Sequence, residues 1–283
     1  MSRRWLVGAL VALFAATITL TAGSSRADAA SADASLVPSY RLTTAPFRSI
    51  ALVTVGRHVV CTGFVVAPRK VVTAGHCLVR DAAAGDYRFR TRLPERVRIF
   101  RGYSRAAGSY AYAACDVAKV WVPGRFVRSG RSDQRFGDRA YDFAVLTTRF
   151  GCRYPSNSVL RLWANEADGR QLRDGQRIRL AGYPADPRDP DMNGLSMWRS
   201  QGRIQPIADD AAHLGFTGFV AQGMSGAPVW RTFTTDSPCG RRHCVVGVVT
   251  ECAVDDNGLC KLGNSTRVAV RITHKVKRAI RRH

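Results

Sequence analysis

Lysine is scarce in this 283-residue chain, standing only at positions 70, 119, 261, 275 and 277. Acidic residues are few as well: 21 Asp and Glu face 43 Lys and Arg, so the formal net charge is +22 and arginine carries nearly all of it. Such a charge suits contact with anionic cell-wall or surface polymers, acidic proteins or nucleic acid, or else it is a soluble, self-repelling surface. The basic residues are spread along the chain with one cluster at the C-terminus, and no nucleic-acid-binding motif is present, so no specific nucleic-acid partner is expected. No CxxC pair occurs and the six histidines are scattered, which argues against a metal cluster; no metal and no cofactor is called for. After the first thirty residues no stretch is long and apolar enough to span a bilayer.

What the first residues do have is the layout of a secretory signal. Arg3 and Arg4 precede an apolar run from Trp5 to about Ala22, and Ala27-Asp28-Ala29 offers a small-residue cleavage pattern. The alternative, an uncleaved anchor, fits less well because Thr and Gly interrupt the run. No Cys stands at the cleavage region, so a lipid anchor is not expected. All eight cysteines come later, and export to an oxidising compartment allows four disulfides. The expected organisation is a signal peptide over 1–29 and a pro-segment or loose N-terminus over 30–45. Two folded parts would follow, over 46–165 and 166–283, in a monomer that is secreted and extracellular.

From Ile50 onward short runs rich in Val, Ile, Phe and Tyr alternate with Gly, Pro, Asp and Arg. Twelve such runs read as strands: Ile50–Val55, Val59–Val66, Val71–Ala74, Arg96–Phe100, Ala118–Val122, Phe143–Thr147, Arg177–Gly182, Ser196–Ile204, Gly215–Ala221, Pro228–Phe233, Val245–Thr250 and Val268–Ile272. No long amphipathic helix interrupts them, so the chain is all-β, a sandwich or barrel. The tail differs. Thr273 can cap a helix over His274 to His283, with Val276 and Ile280 forming one apolar stripe. That helix either docks on a barrel with its basic face in water or binds an anionic surface.

Three segments carry candidate chemistry, in this order: Cys61-Thr62-Gly63 leading to Val71-Val72-Thr73-Ala74-Gly75-His76-Cys77, then Tyr141-Asp142-Phe143-Ala144-Val145-Leu146, then Gln222-Gly223-Met224-Ser225-Gly226-Ala227-Pro228. A serine hydroxyl is a poor nucleophile at neutral pH and needs an imidazole to take its proton. The imidazole needs a carboxylate to fix its tautomer and stabilise the imidazolium. The developing oxyanion needs fixed N–H donors, for which the backbones of Gly223 and Ser225 are the natural candidates. His76, Asp142 and Ser225 are therefore the expected triad. The order differs from the Ser-Asp-His of the α/β-hydrolases, and Ala227 breaks their GxSxG pattern.

The segments TAGHC, DFAVL and GMSGAP resemble the histidine, aspartate and serine motifs of the chymotrypsin-like serine peptidases. The resemblance implies two six-stranded antiparallel β-barrels with the site in the cleft between them, a C-terminal α-helix, and protein or peptide substrates cleaved through an acyl-enzyme. Val120-Trp121-Val122-Pro123, Ala181-Gly182-Tyr183-Pro184 and Arg271-Ile272-Thr273 are similar to the bacterial glutamyl endopeptidase branch. In that branch a histidine late in the chain helps bind a glutamate side chain, and Val249 stands at the matching position here. Thr250 matches the position whose hydroxyl supports the aspartate. Met224 replaces the aspartate that many animal members use in zymogen activation. The resemblance also implies a Cys61–Cys77 bridge; proximity suggests Cys115–Cys152, Cys239–Cys244 and Cys252–Cys260. A specificity pocket is expected with its floor over 216–222, including Phe219, and a wall over 250–253 beside Val249. Glu251 and Asp255 favour a basic residue before the scissile bond, unless Glu251 points to solvent or pairs with an arginine. The competing function is a cationic extracellular surface-binding protein on a peptidase fold with little turnover.

Overall fold

The structure is a computed structural model that describes residues 34–56, 59–81, 87–89, 97–105, 109–110, 112–129, 139–150, 152–164, 172–205, 207, 211–234, 237–252 and 266–283. The signal segment, the expected boundary at 165/166, Asp255 and Cys260 lie outside the described residues, as do the side chains of Glu251 and Cys252.

Six strands make the first barrel: β1 (Ile50–Val55), β2 (Val59–Ala67), β3 (Lys70–Thr73), β4 (Val97–Arg101), β5 (Cys115–Trp121) and β6 (Ala144–Thr148). They close in the order β1-β2-β3-β6-β5-β4, with β4 returning to β1, all antiparallel. Six more make the second: β7 (Arg177–Gly182), β8 (Trp198–Gln205), β9 (His213–Phe216), β10 (Pro228–Thr232), β11 (His243–Cys252) and β12 (Arg267–Arg271). Their order is β7-β8-β9-β12-β11-β10, with β10 returning to β7. The two halves share one strand order although no repeat is visible in the sequence. Closure leaves neither sheet an open edge of its own.

Strand β1 of the first barrel reads as a nearly unbroken apolar run because both of its faces are buried, whereas β4 and β5 alternate with exposed charged residues. In β1, Ala51, Val53 and Val55 point into the barrel, while Ile50 and Leu52 join the larger core that extends through the second barrel. β2 does the same with Val65 inside and Phe64 in the shared core. This is the period-two alternation of a strand with an apolar partner on each side. Each such Leu or Phe contributes about 1.5–3 kcal/mol on burial.

Two expectations change in detail. The strand expected over Gly215–Ala221 runs over His213–Phe216 instead. Gly218 at φ +127° turns the chain out of the sheet, and the Phe219 N–H donates to the Ser200 hydroxyl rather than to a strand neighbour. Residues 34–45 are not loose: Ala34–Leu36 pairs antiparallel with Trp198–Ser200 on the outside of β8, and Val37 and Leu42 are buried.

The tail forms the expected helix. Helix α1 is the short Gly124–Ser129, and α2 covers His274–Arg282. The Thr273 hydroxyl accepts from the Val276 N–H at 3.1 Å, a cap that contributes about 1 kcal/mol. Val276 and Ile280 are buried, so α2 docks. It docks across to the first barrel: Lys70 donates to the Arg281 carbonyl at 2.6 Å, and the His283 ring stacks on Trp121 with centroids 4.0 Å apart. A cation at the carbonyl end complements the helix dipole.

Candidate active site

His76 leaves the end of β3 and Asp142 sits just ahead of β6, the strand that pairs with β3. That pairing brings them together. The Asp142 carboxylate accepts the His76 backbone N–H at 2.8 Å on one oxygen and faces His76 Nδ1 at 2.7 Å with the other. Asp142 is almost wholly buried, whereas the His76 side chain is 38% exposed. The closeness needs Gly75, because a Cβ there would sit 3.0 Å from both the carboxylate and the Phe126 ring. Cys77, the next residue, is bridged to Cys61 on β2, which ties the histidine turn to the barrel wall.

Ser225 lies in the turn between residue 221 and β10, flanked by Gly223 at φ +80° and Gly226 at φ +87°. Both glycines are required. A Cβ on Gly223 would overlap the Tyr183 carbonyl oxygen, and one on Gly226 would overlap the Thr62 carbonyl and the Thr73 hydroxyl. The turn is fixed from the other barrel by Thr62. Its N–H donates to the Ser225 carbonyl at 2.8 Å, and its hydroxyl donates to the Gly223 carbonyl at 2.8 Å while accepting the Tyr183 N–H at 3.0 Å. Thr73, three residues before His76, donates to the Thr62 carbonyl at 2.7 Å. One buried threonine thus links the histidine strand to the serine turn. On the far side Gly226 donates to the Val249 carbonyl at 2.7 Å. Among the described residues the N–H groups of Gly223 and Ser225 have no protein acceptor, which leaves both available to a reacting oxygen.

A second brace reaches the aspartate from α2. Lys275 donates to the Tyr141 hydroxyl at 2.7 Å, and that hydrogen bond holds the phenol below its usual pKa. Tyr141 directly precedes Asp142, so the terminal helix anchors the carboxylate segment.

The remaining expected residues fall as follows. The Thr250 hydroxyl donates to the Val268 carbonyl at 3.3 Å, and the hydrogen bonds of Asp142 both come from His76, so the expected Thr250–Asp142 support is not formed here. Val249 is buried in the core and is tied by its backbone to Gly226 and Ala227. Phe219 is buried beside Ser200. Bridges join Cys115 to Cys152 and Cys239 to Cys244, as expected; the Cys252–Cys260 pairing lies outside the described residues.

Sequence reasoning missed three residues. Thr62 stands inside the first motif, where its residue type alone does not announce a bridging role. Tyr183, in AGYP, is wholly buried, and its hydroxyl accepts the Tyr103 N–H at 3.2 Å. Arg267 opens β12 and is 1% exposed, strand-paired with Phe216 on one side and Cys252 on the other. Its backbone therefore lies between the expected floor and wall of the pocket, and burial holds its guanidinium below its usual pKa. An arginine at the start of an apolar strand was the available signal.

Residues 61–233, more than half of the chain, match the trypsin-like peptidase domain family. The chain belongs to that family. This trypsin-like peptidase domain is 25% identical over 239 residues, 83% of its length, to a glutamyl endopeptidase of Bacillus licheniformis, and it spans 62% of the length of that curated relative. Among solved structures it superposes on a Glu endopeptidase in complex with MPD with a TM-score of 0.61 at 23% identity, covering 88% of this chain and 95% of that one. Protease Anisep from Arthrobacter nicotinovorans gives 0.57 at 18% identity, over 82% and 94% of the two chains. At these identities the superpositions speak for the shared two-barrel fold.

Proposed function

We propose that this trypsin-like domain is a secreted serine endopeptidase in which His76, Asp142 and Ser225 act as a triad. The observation that carries the reading is the two-point hold of Asp142 on His76. In this reading His76 takes the Ser225 proton as the hydroxyl attacks the peptide carbonyl, then returns it to the leaving amine. The oxyanion rests on the Gly223 and Ser225 N–H groups. An acyl-enzyme forms on Ser225 and water releases it by the same proton relay. Disulfides joining three pairs of cysteines favour an oxidising compartment outside the cell.

A fluorophosphonate probe tests the reading, because it reports a serine activated by its base. The purified, disulfide-bonded protein is expected to label, and Ser225→Ala and His76→Ala are expected to remain unlabelled. A folded parent that stays unlabelled before and after limited proteolysis would defeat the proposal.

Substrate preference follows from charge at the pocket. Glu251 pointed to a basic side chain before the scissile bond. Arg267, buried and strand-paired to both expected flanks, supports an acidic one instead. In a peptide panel varied at that position, Glu or Asp substrates are expected to show at least tenfold higher kcat/KM than Arg or Lys substrates. Arg267→Met should erase the difference. Faster cleavage after Arg or Lys would return the role to Glu251.

A further inference from the structure

A cavity of about 450 Å³ lies away from the triad, on the outer wall of the second barrel, under the N-terminal segment. It lies between β7, β8 and the hairpin of β10 and β11, and residues 35–47 cover it from outside. Its lining brings four arginines to one volume: Arg41 from the covering segment, Arg179 from β7, Arg199 from β8 and Arg242 from the hairpin turn. The turn is held in place by the Cys239–Cys244 bridge. Among the described residues no Asp or Glu lines the cavity, and none of the four arginines has an acidic partner. Arg199 donates to the Ser35 hydroxyl at 2.9 Å, which ties the cover to the wall.

Two further groups sense this field. His243 lines the cavity with its Nδ1 3.2 Å from the Thr232 hydroxyl; burial and the nearby Arg242 and Arg179 push its pKa down to about 4. Trp230 also lines the cavity, and its ring N–H is buried with no hydrogen-bond partner among the described residues. A concave wall of one charge sign focuses potential and concentrates counter-ions. Arginine forks match phosphate oxygens two at a time. A volume within the usual range for ligand sites, lined by four such forks, takes more than one phosphate group at once.

We propose that this cavity is a binding site for oligophosphate or phosphodiester anions, separate from the triad. The site is independent of whether Ser225 is active. It turns the diffuse charge of the chain into a defined contact, with an anion neutralising arginines that otherwise repel one another across the cavity.

Pyrophosphate is the minimal probe, titrated calorimetrically into the full protein at an ionic strength of about 0.15 M, where screening suppresses diffuse attraction. Saturable one-to-one binding is expected, with a rise in the thermal midpoint as ligand stabilises the native state. Arg179→Ala combined with Arg242→Ala should weaken binding at least tenfold; both side chains are exposed, so the fold does not depend on them. Arg278→Ala with Arg282→Ala removes the same charge from α2 and should change affinity less than twofold. A polyphosphate chain separates the sources: tighter binding than pyrophosphate, still lost in the cavity variant, identifies a polymer, and equal binding identifies a free anion. Absence of saturable binding, or equal weakening in the two double variants, would overturn the site and leave only diffuse charge.

Discussion

Asp142→Asn is expected to lower kcat for a peptide substrate about 10⁴-fold while the protein stays folded. The cause is a change of tautomer. With a carboxylate facing Nδ1 at 2.7 Å, the ring carries its proton on Nδ1 and keeps a lone pair on Nε2 for the serine. An asparagine can still accept the His76 backbone N–H with its amide oxygen, as Asp142 Oδ1 does now at 2.8 Å. The amide NH₂ then faces Nδ1 and donates to it. The ring answers by moving its proton to Nε2, where it opposes Ser225 instead of relieving it. Packing is preserved because the two side chains have nearly the same shape. The measurement is kcat against a fluorogenic peptide, beside near-ultraviolet circular dichroism to confirm the fold. Adding His76→Ala should bring little further loss, since residues acting as one unit are not additive. A deficit below tenfold would mean that Asp142 only positions the loop.

Gly226→Ala is expected to cost about 3 kcal/mol or more and most of the activity. Two costs add. At φ +87° an alanine is strained by about 1–2 kcal/mol. The new methyl would also press on backbone, overlapping the Thr62 carbonyl and lying 2.7 Å from the Ala74 nitrogen. Overpacking of that kind adds about 1–3 kcal/mol, and here both obstacles are fixed in strands and turns of the other barrel. Gly240 separates the two effects. It has φ +66°, but a Cβ there would meet nothing within 4 Å, so Gly240→Ala should cost only about 1 kcal/mol. Urea unfolding of the two variants compares them. Equal midpoints would show that the serine turn yields, and that the close approach of the barrels is not what demands the glycine.

Much of this architecture was legible in the chain, for physical reasons that differ by feature. All twelve barrel strands were marked by β-branched runs between turn residues, and most ends fell within two residues, because strand patterning is local. The β9 strand was placed late: nothing in Thr217-Gly218-Phe219 announces that the chain leaves the sheet to bond Ser200 on β8. The triad candidates were legible because their chemistry restricts residue types to short signatures. Their supports were not. Thr62 and Gly223 are 161 residues apart, and Tyr141 and Lys275 are 134 apart, and neither contact leaves a period or a motif. Thr250 shows the opposite error, a role carried over by position whose hydroxyl turns to Val268 instead. The packing of residues 34–45 is not announced, because their small and polar composition looks like linker, while the segment is held by the burial of Ala34, Val37 and Leu42 and by strand pairing to β8.

The brace from Lys275 to Tyr141 also has a meaning in time. A ribosome delivers the histidine and aspartate segments first, the serine turn well after them, and α2 later still. The first barrel can close as soon as its six strands are out, yet Tyr141 then lacks its lysine and Thr62 lacks the carbonyls it will hold. Under the proposed triad, hydrolytic competence therefore waits for residues made after both barrels, so a chain cut short before α2 is expected to carry no working blade against itself or its neighbours.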